Sequence, residues 1–138
     1  MKVKVHSLEE TKLLAEKFAK KLKLGDVVLL NGDLGAGKTT FTQFVFAFLG
    51  VKEIVNSPTF VILKTYQGKN YRLHHFDTYR ISTEEAIEAG FDEVFQDGNS
   101  IIFIEWGETV NPLLPKHKIK INIKLVNENE REFEIIRE

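Results

Sequence analysis

Apolar residues change period several times along this chain, and each change marks an element. Leu14, Ala15, Phe18 and Leu22 recur at helical spacing behind Ser7-Leu8-Glu9-Glu10, whose S-x-x-E spacing is that of a capping box. The pattern predicts a helix that opens at Ser7 and is ended by Gly25. Asp26 to Asn31 reads DVVLLN, a continuous apolar run of the kind found in a strand covered on both faces. After a glycine-rich interval, Phe41, Phe44, Val45, Phe48 and Leu49 return at i, i+3, i+4, i+7 and i+8, and Gly50 supplies a stop. That stretch is an amphipathic helix beginning near Lys38.

The second half is richer in strands. Phe60 to Tyr66 and Tyr71 to Phe76 are β-prone runs joined by Gln67-Gly68-Lys69-Asn70, which predicts a hairpin. Ser82 to Glu85 is a second capping box, opening a short helix that runs to about Ala89. Ile101 to Ile104 is another buried-strand run, and it ends in Glu105. Lys118 to Val126 and Arg131 to Ile136 alternate around Asn127 to Glu130, which predicts a C-terminal β-hairpin. Helices alternate with strands early and strands dominate late. The expected fold is α/β: a mixed sheet with a parallel nucleus, covered by helices.

Length and composition narrow the class. A chain of 138 residues makes one domain, and no linker, repeat or low-complexity block divides it. With 19 basic and 20 acidic residues the formal net charge is −1, which argues against a chain whose main ligand is a nucleic-acid backbone. There is no cysteine, so disulfides, thiolate zinc sites and cysteine nucleophiles are excluded. The longest apolar run is the six residues from Phe44 to Leu49, against roughly 20 needed to span a bilayer. The opening MKVKVHSLEE lacks the apolar core of a signal peptide. A soluble, cytoplasmic protein without a membrane partner is expected.

The chemistry concentrates in Gly32-Asp33-Leu34-Gly35-Ala36-Gly37-Lys38-Thr39, which matches G-x-x-x-x-G-K-S/T in full. Phosphate oxygens need several donors converging on a small volume, and successive backbone N–H groups in a concave loop supply them. Glycine belongs where a side chain would block that approach. The following helix aims the positive end of its dipole at the phosphates, Lys38 can reach the β and γ oxygens, and the Thr39 hydroxyl can ligate magnesium. Chance alone gives roughly one such match in 200 chains of this length. Here the motif also lies between an apolar strand and an amphipathic helix, where the chemistry requires it.

A nucleotidase of this kind needs a carboxylate at the end of a neighbouring strand to hold magnesium, and Ile101-Ile102-Phe103-Ile104-Glu105 supplies one at the carboxyl edge. Trp106 follows, either stacked near the nucleotide or simply packed. Asp77, in His75-Phe76-Asp77-Thr78-Tyr79-Arg80, has three readings: a carboxylate behind the metal ligands, the group that orients attacking water, or a turn residue paired with Arg80. The adjacent His74 and His75 point to opposite faces of a strand, which argues against a zinc pair. Asn56-Ser57-Pro58-Thr59 is polar and turn-like, readable as a nucleotide-responsive switch or as a plain loop.

Taken together, GDLGAGKTT (Gly32 to Thr40), SPTF (Ser57 to Phe60), HFDTYR (His75 to Arg80) and IEWGE (Ile104 to Glu108) resemble the TsaE family, formerly YjeE. Those are bacterial P-loop ATPases needed to make threonylcarbamoyladenosine beside the tRNA anticodon. The resemblance runs from about Thr11 to Trp106 and continues weakly into the closing hairpin. It implies a P-loop NTPase-like three-layer fold. It implies ATP binding by Thr11 and by Gly35, Ala36, Gly37, Lys38, Thr39 and Thr40, with magnesium (Mg2+) held by Thr39 and Glu105. Asp77 matches an aspartate important in the family, which with Lys38 makes the expected catalytic pair, and Ser57 and Thr59 fall in a loop that responds to nucleotide. Thr78, where relatives usually carry an apolar residue, and Gly107, often proline, depart from the pattern without touching the expected chemistry.

The resemblance also implies partners. The chain would act on the TsaB and TsaD subunits, with tRNA met only through that complex, while TsaC separately makes the threonylcarbamoyl adenylate. TsaD would transfer the group, and ATP hydrolysis here would reset the complex. A slow, partner-stimulated ATPase is therefore expected. Only Arg72, Arg80, Arg131 and Arg137 could supply an arginine, and if none reaches the γ-phosphate a partner must stabilise the developing charge. The rivals are a small-molecule kinase, for which no lid insertion is evident, a GTPase, for which no N-K-x-D segment appears, and a non-catalytic nucleotide sensor.

Overall fold

The structure, a computed structural model, describes residues 1–32, 36–55 and 62–138. Asp33, Leu34 and Gly35 of the glycine-rich segment, and Asn56 through Val61 with the expected switch residues Ser57 and Thr59, lie outside the described residues.

Twelve elements follow in order: β1 (Lys2–Val5), α1 (Leu8–Lys20), β2 (Val27–Gly32), α2 (Lys38–Phe48), β3 (Leu63–Gln67), β4 (Arg72–Asp77), α3 (Thr83–Glu88), α4 (Phe91–Gln96), β5 (Ile101–Glu105), a 3-10 helix (Gly107–Leu113), β6 (Ile119–Leu125) and β7 (Arg131–Arg137). The strands form one sheet in the order β1-β7-β6-β2-β5-β4-β3. β6, β2, β5 and β4 run parallel at its centre, while the β3–β4, β6–β7 and β1–β7 pairs are antiparallel. The mixed sheet, its parallel nucleus and its C-terminal hairpin are those the hydrophobic pattern implied.

Strand parity sorts the core into two layers. Val28 and Leu30 of β2 and Ile101 and Phe103 of β5 pack under α1 and α2, with Phe18, Phe41, Phe46 and Phe133. The alternate residues Val27, Leu29, Ile102 and Ile104 pack on the other face with Phe76, Ala86, Phe95 and Val110. Both faces of the central strands are thus buried, which explains their uninterrupted apolar sequences. Rings of Phe18, Phe41, Phe46, Phe103 and Phe133 touch at centroid distances of 5.1–6.4 Å. Each buried ring contributes on the order of 2 kcal/mol, so α2 is pinned firmly to the sheet and its N-terminus has a fixed place.

The structure moves several expected boundaries. The first helix ends at Lys20, five residues before Gly25, because Lys21 and Leu22 turn back onto Phe18 and Ala19. Leu22 remains in the core beyond the helix end. At the helix start the Ser7 hydroxyl accepts from Glu10 N–H, but the Glu10 carboxylate accepts from His6 N–H rather than Ser7, so only one arm of the box closes. Around α3 both arms close. The described part of β3 begins at Leu63, and its expected start at Phe60 lies outside the described residues. Three elements carried no recognised signal: β1, α4 and the 3-10 helix. β1 is short and half exposed, and it forms because β7 offers it an edge.

Candidate functional site

Four chain segments converge at the carboxyl edge of the parallel nucleus. β2 ends at Gly32, and a Cβ built there would stand 2.6 Å from the Ile123 carbonyl and 3.4 Å from the Ala36 Cβ, so only glycine lets β6 and the start of α2 close on the strand. Gly37 is the N-cap of α2, and its φ of 108° is a left-handed conformation that glycine alone adopts without strain. The Lys38 ammonium reaches back across the segment to donate to the Gly32 carbonyl. It also lies 4.0 Å from the centroid of the Trp106 ring, although the residue is only 6% exposed.

The start of α2 differs electrostatically from the other helix starts. α1 and α3 open under serine caps with acids in their first turns. α2 opens with no side-chain cap and no acid in its first turn. Among the described residues, no side chain caps its leading N–H groups and no first-turn acid offsets the positive end of its dipole. An anion is the natural complement. Lys38 and Thr39 are the first residues of that turn.

Strand register brings the acids together. β4 and β5 pair in parallel with His75 opposite Phe103 and Asp77 opposite Glu105. Since Phe103 faces α2, so do His75, Asp77 and Glu105, at every second position. Glu105 is 3% exposed and accepts a hydrogen bond from His75 Nε2 at 2.7 Å. Asp77 sits half-buried beside it, with Oδ1 accepting from Tyr79 N–H at 3.1 Å. It makes no ion pair with Arg80, so the turn-residue reading of Asp77 finds no pairing with Arg80, only a bond from the backbone two residues on. Partial burial, reinforced by the Glu105 charge, raises the Asp77 pKa above its usual 3.8, and the Tyr79 bond only partly offsets this.

That direction carries a stability prediction. A raised carboxyl pKa means that folding favours the protonated form, so this stabilisation is complete below 3.8 and is lost as pH rises through the higher folded value. Asp77→Asn keeps the acceptor for Tyr79 and removes the charge. It is expected to raise the melting temperature at pH 7 and to leave it almost unchanged near pH 3, by thermal melts of both proteins. A melting temperature lowered at pH 7 would contradict the reading.

His74 and His75 part company, as their adjacency requires. His74 Nδ1 is 2.9 Å from Thr65 Oγ1 on the far face, and burial lowers its pKa. Thr78 stays clear of the expected chemistry but braces the backbone that carries it. Fully buried, it donates from Oγ1 to the carbonyls of Glu105 and Trp106 at 3.2 and 2.9 Å, and its own N–H donates to Glu105. An apolar side chain could not tie the β4 end to β5 in this way. Gly107 also matters locally, since a Cβ there would lie 2.4 Å from Leu29 Cδ2 and that side chain would have to rotate. Trp106 is the one non-glycine residue with positive φ (62°) among those described, and its ring meets Tyr79 at 5.1 Å.

A cleft beside the α2 start is lined by Thr11, Ala36, Gly37, Thr40, Asn129 and Arg131. The structure thus brings Thr11 to the glycine-rich segment from 25 residues away, because it lies in the first turn of α1 with its hydroxyl donating to Ser7 O at 3.2 Å. Of the four arginines that the sequence left open, Arg131 is the one that lines this cleft. It opens β7, and its Nε would lie 3.9 Å from a Cβ on Gly37. Nothing in its local sequence signals this; only the sheet order β7-β6-β2 delivers it there. Gly35 lies outside the described residues.

Residues 5–133 match the family model described as Threonylcarbamoyl adenosine biosynthesis protein TsaE. A Rickettsia felis protein named tRNA threonylcarbamoyladenosine biosynthesis protein TsaE is 46% identical over 130 residues, covering 93% of this chain and 75% of its own. A Bacillus subtilis protein of the same name is 44% identical over 125 residues, covering 91% of this chain and 78% of its own. The crystal structure of Bacillus subtilis YdiB superposes with a TM-score of 0.80 at 38% identity, covering 96% of this chain and 82% of that one.

Proposed function

This chain belongs to the TsaE family, and from that premise we propose that it is a slow, magnesium-dependent ATPase stimulated by TsaB and TsaD. It serves the biosynthesis of tRNA threonylcarbamoyladenosine. The observation that carries the ATPase reading is the uncapped, acid-free start of α2, with Lys38 on it and two carboxylates at the ends of the neighbouring parallel strands. A triphosphate supplies the anion that the helix start lacks, and Lys38 supplies charge for the β and γ oxygens.

The donor set suits magnesium. The Thr39 hydroxyl and the Glu105 carboxylate are hard oxygen ligands, the kind this cation takes alongside phosphate oxygens. Bound there, magnesium would neutralise charge on the phosphates. Asp77, with its raised proton affinity beside Glu105, is the group able to orient water or accept its proton. Arg131, Thr11 and Thr40 line the cleft that would take the rest of the nucleotide, with Arg131 on the Gly37 side. No arginine other than Arg131 lines that cleft, and Arg80 makes no ion pair with Asp77. A partner would then supply the further stabilisation of transition-state charge, which is why turnover alone is slow.

The test uses the purified chain and Trp106, its single tryptophan, which lies against Lys38. Adding ATP with magnesium is expected to change tryptophan emission, and phosphate release is expected to be slow alone and severalfold faster with TsaB and TsaD. Turnover equally fast without them would overturn the partner role. Nucleotide binding with no phosphate released in a single turnover would make the chain a sensor instead. Depleting the protein in its source organism should remove the threonylcarbamoyl mark from tRNA nucleosides by mass spectrometry.

A further inference from the structure

His75 is a fully buried polar residue on β4 that the proposed chemistry does not use. Its ring packs edge-on against Phe46 of α2 at 6.0 Å, and its Nε2 stands 2.7 Å from Glu105 Oε2. The side chains are 0% and 4% exposed. Nδ1, equally buried, has no hydrogen-bond partner among the described residues. An unpaired ring nitrogen lone pair costs less than an unpaired buried N–H, so the ring is assigned as the neutral Nε2–H tautomer, donating its single proton to Glu105. One carboxylate oxygen is therefore occupied. The other, Oε1, carries no hydrogen bond among the described residues.

A glutamate side chain left to itself forfeits rotamer freedom when a ligand fixes it. Glu105 is already fixed. β4 and β5 are rigid neighbours, His75 is wedged by Phe46, and the Nε2–Oε2 bond holds the carboxylate before any cation arrives. We propose that His75 is a positioning residue for the nucleotide-bound divalent cation: it holds Oε2 so that Oε1 is the oxygen offered to the metal. The inference rests on the magnesium-nucleotide reading above and adds the residue that sets the metal ligand's geometry. Removing such a supporting partner typically weakens metal affinity 10–100-fold.

The experiment measures nucleotide binding by Trp106 fluorescence as magnesium is titrated, and again in chelator, for wild type and three variants. His75→Leu fills the space without a donor, His75→Gln places an N–H near the Nε2 position, and His75→Asn keeps a donor that is too short to reach Glu105. For Leu and Asn the magnesium concentration at half-saturation is expected to rise about 10–100-fold. Metal-free nucleotide affinity should stay at the wild-type value, and Gln should restore most of the magnesium response. Should the Leu variant fail to fold, the Gln and Asn variants, both polar, carry the comparison alone. Variants that melt earlier but keep wild-type magnesium dependence overturn the proposal, as does a Gln variant no better than Asn. If wild type itself binds nucleotide without regard to magnesium, the underlying site reading falls, and that result is separable from the others.

Discussion

Replacing Lys38 with alanine is expected to lower ATP hydrolysis by a factor on the order of 100 or more while the chain keeps its fold. The ammonium is the one side-chain cation on the first turn of α2, and that turn has no cap of its own. Its removal leaves the Gly32 carbonyl without this donor and the Trp106 ring without its cation. Gly32 is partly exposed, so water can replace the lost donor there and the fold loses little. The aromatic layer that pins α2, Phe41 and Phe46 included, is untouched. Far-UV circular dichroism should match wild type, and phosphate release should be nearly absent with or without partners. A Lys38→Ala protein that hydrolyses ATP normally would remove the site assignment.

The second large effect is at Glu105, where the choice of substitution matters. Glu105→Gln keeps an acceptor for His75 Nε2 and removes the charge on the metal ligand. It is expected to raise the magnesium requirement by roughly 100-fold, the upper end of what supporting residues alone produce, with the melting temperature little changed. Glu105→Ala should do the same to magnesium and also lower stability by about 1–3 kcal/mol, because the His75 N–H is left buried and unpaired. Denaturant titration separates the two effects. If Ala and Gln are equally stable, the His75–Glu105 bond contributes nothing to the fold. If Gln binds magnesium-nucleotide as wild type does, Glu105 is not the ligand.

Much of the architecture was legible because the signals are local. A capping serine and its glutamate are three residues apart, an amphipathic helix repeats within four, and a doubly buried strand declares itself by an unbroken apolar run. The boundaries drifted where tertiary contacts competed with such signals. α1 stopped before Gly25, although Leu22 still reached the core, and β1 formed in a polar KVKV segment because β7 lay beside it. α4 was missed because its six residues hold too few turns to show a period.

The chain by itself determined the glycine-rich segment, the lysine and threonine at the start of α2, and an acid at the end of an apolar strand. Those are short-range facts of order along the backbone. Which acids stand side by side was decided only by the fold: parallel pairing of β4 with β5 sets Asp77 opposite Glu105 from 28 residues away, and parity turns both towards α2. The sheet order also carries Arg131 to Gly37 and seats His75 on Glu105, and no local pattern encodes either meeting. The reason is physical. Periodicity states which face of an element is buried, but the partner is chosen by how all the apolar faces close on one another at once.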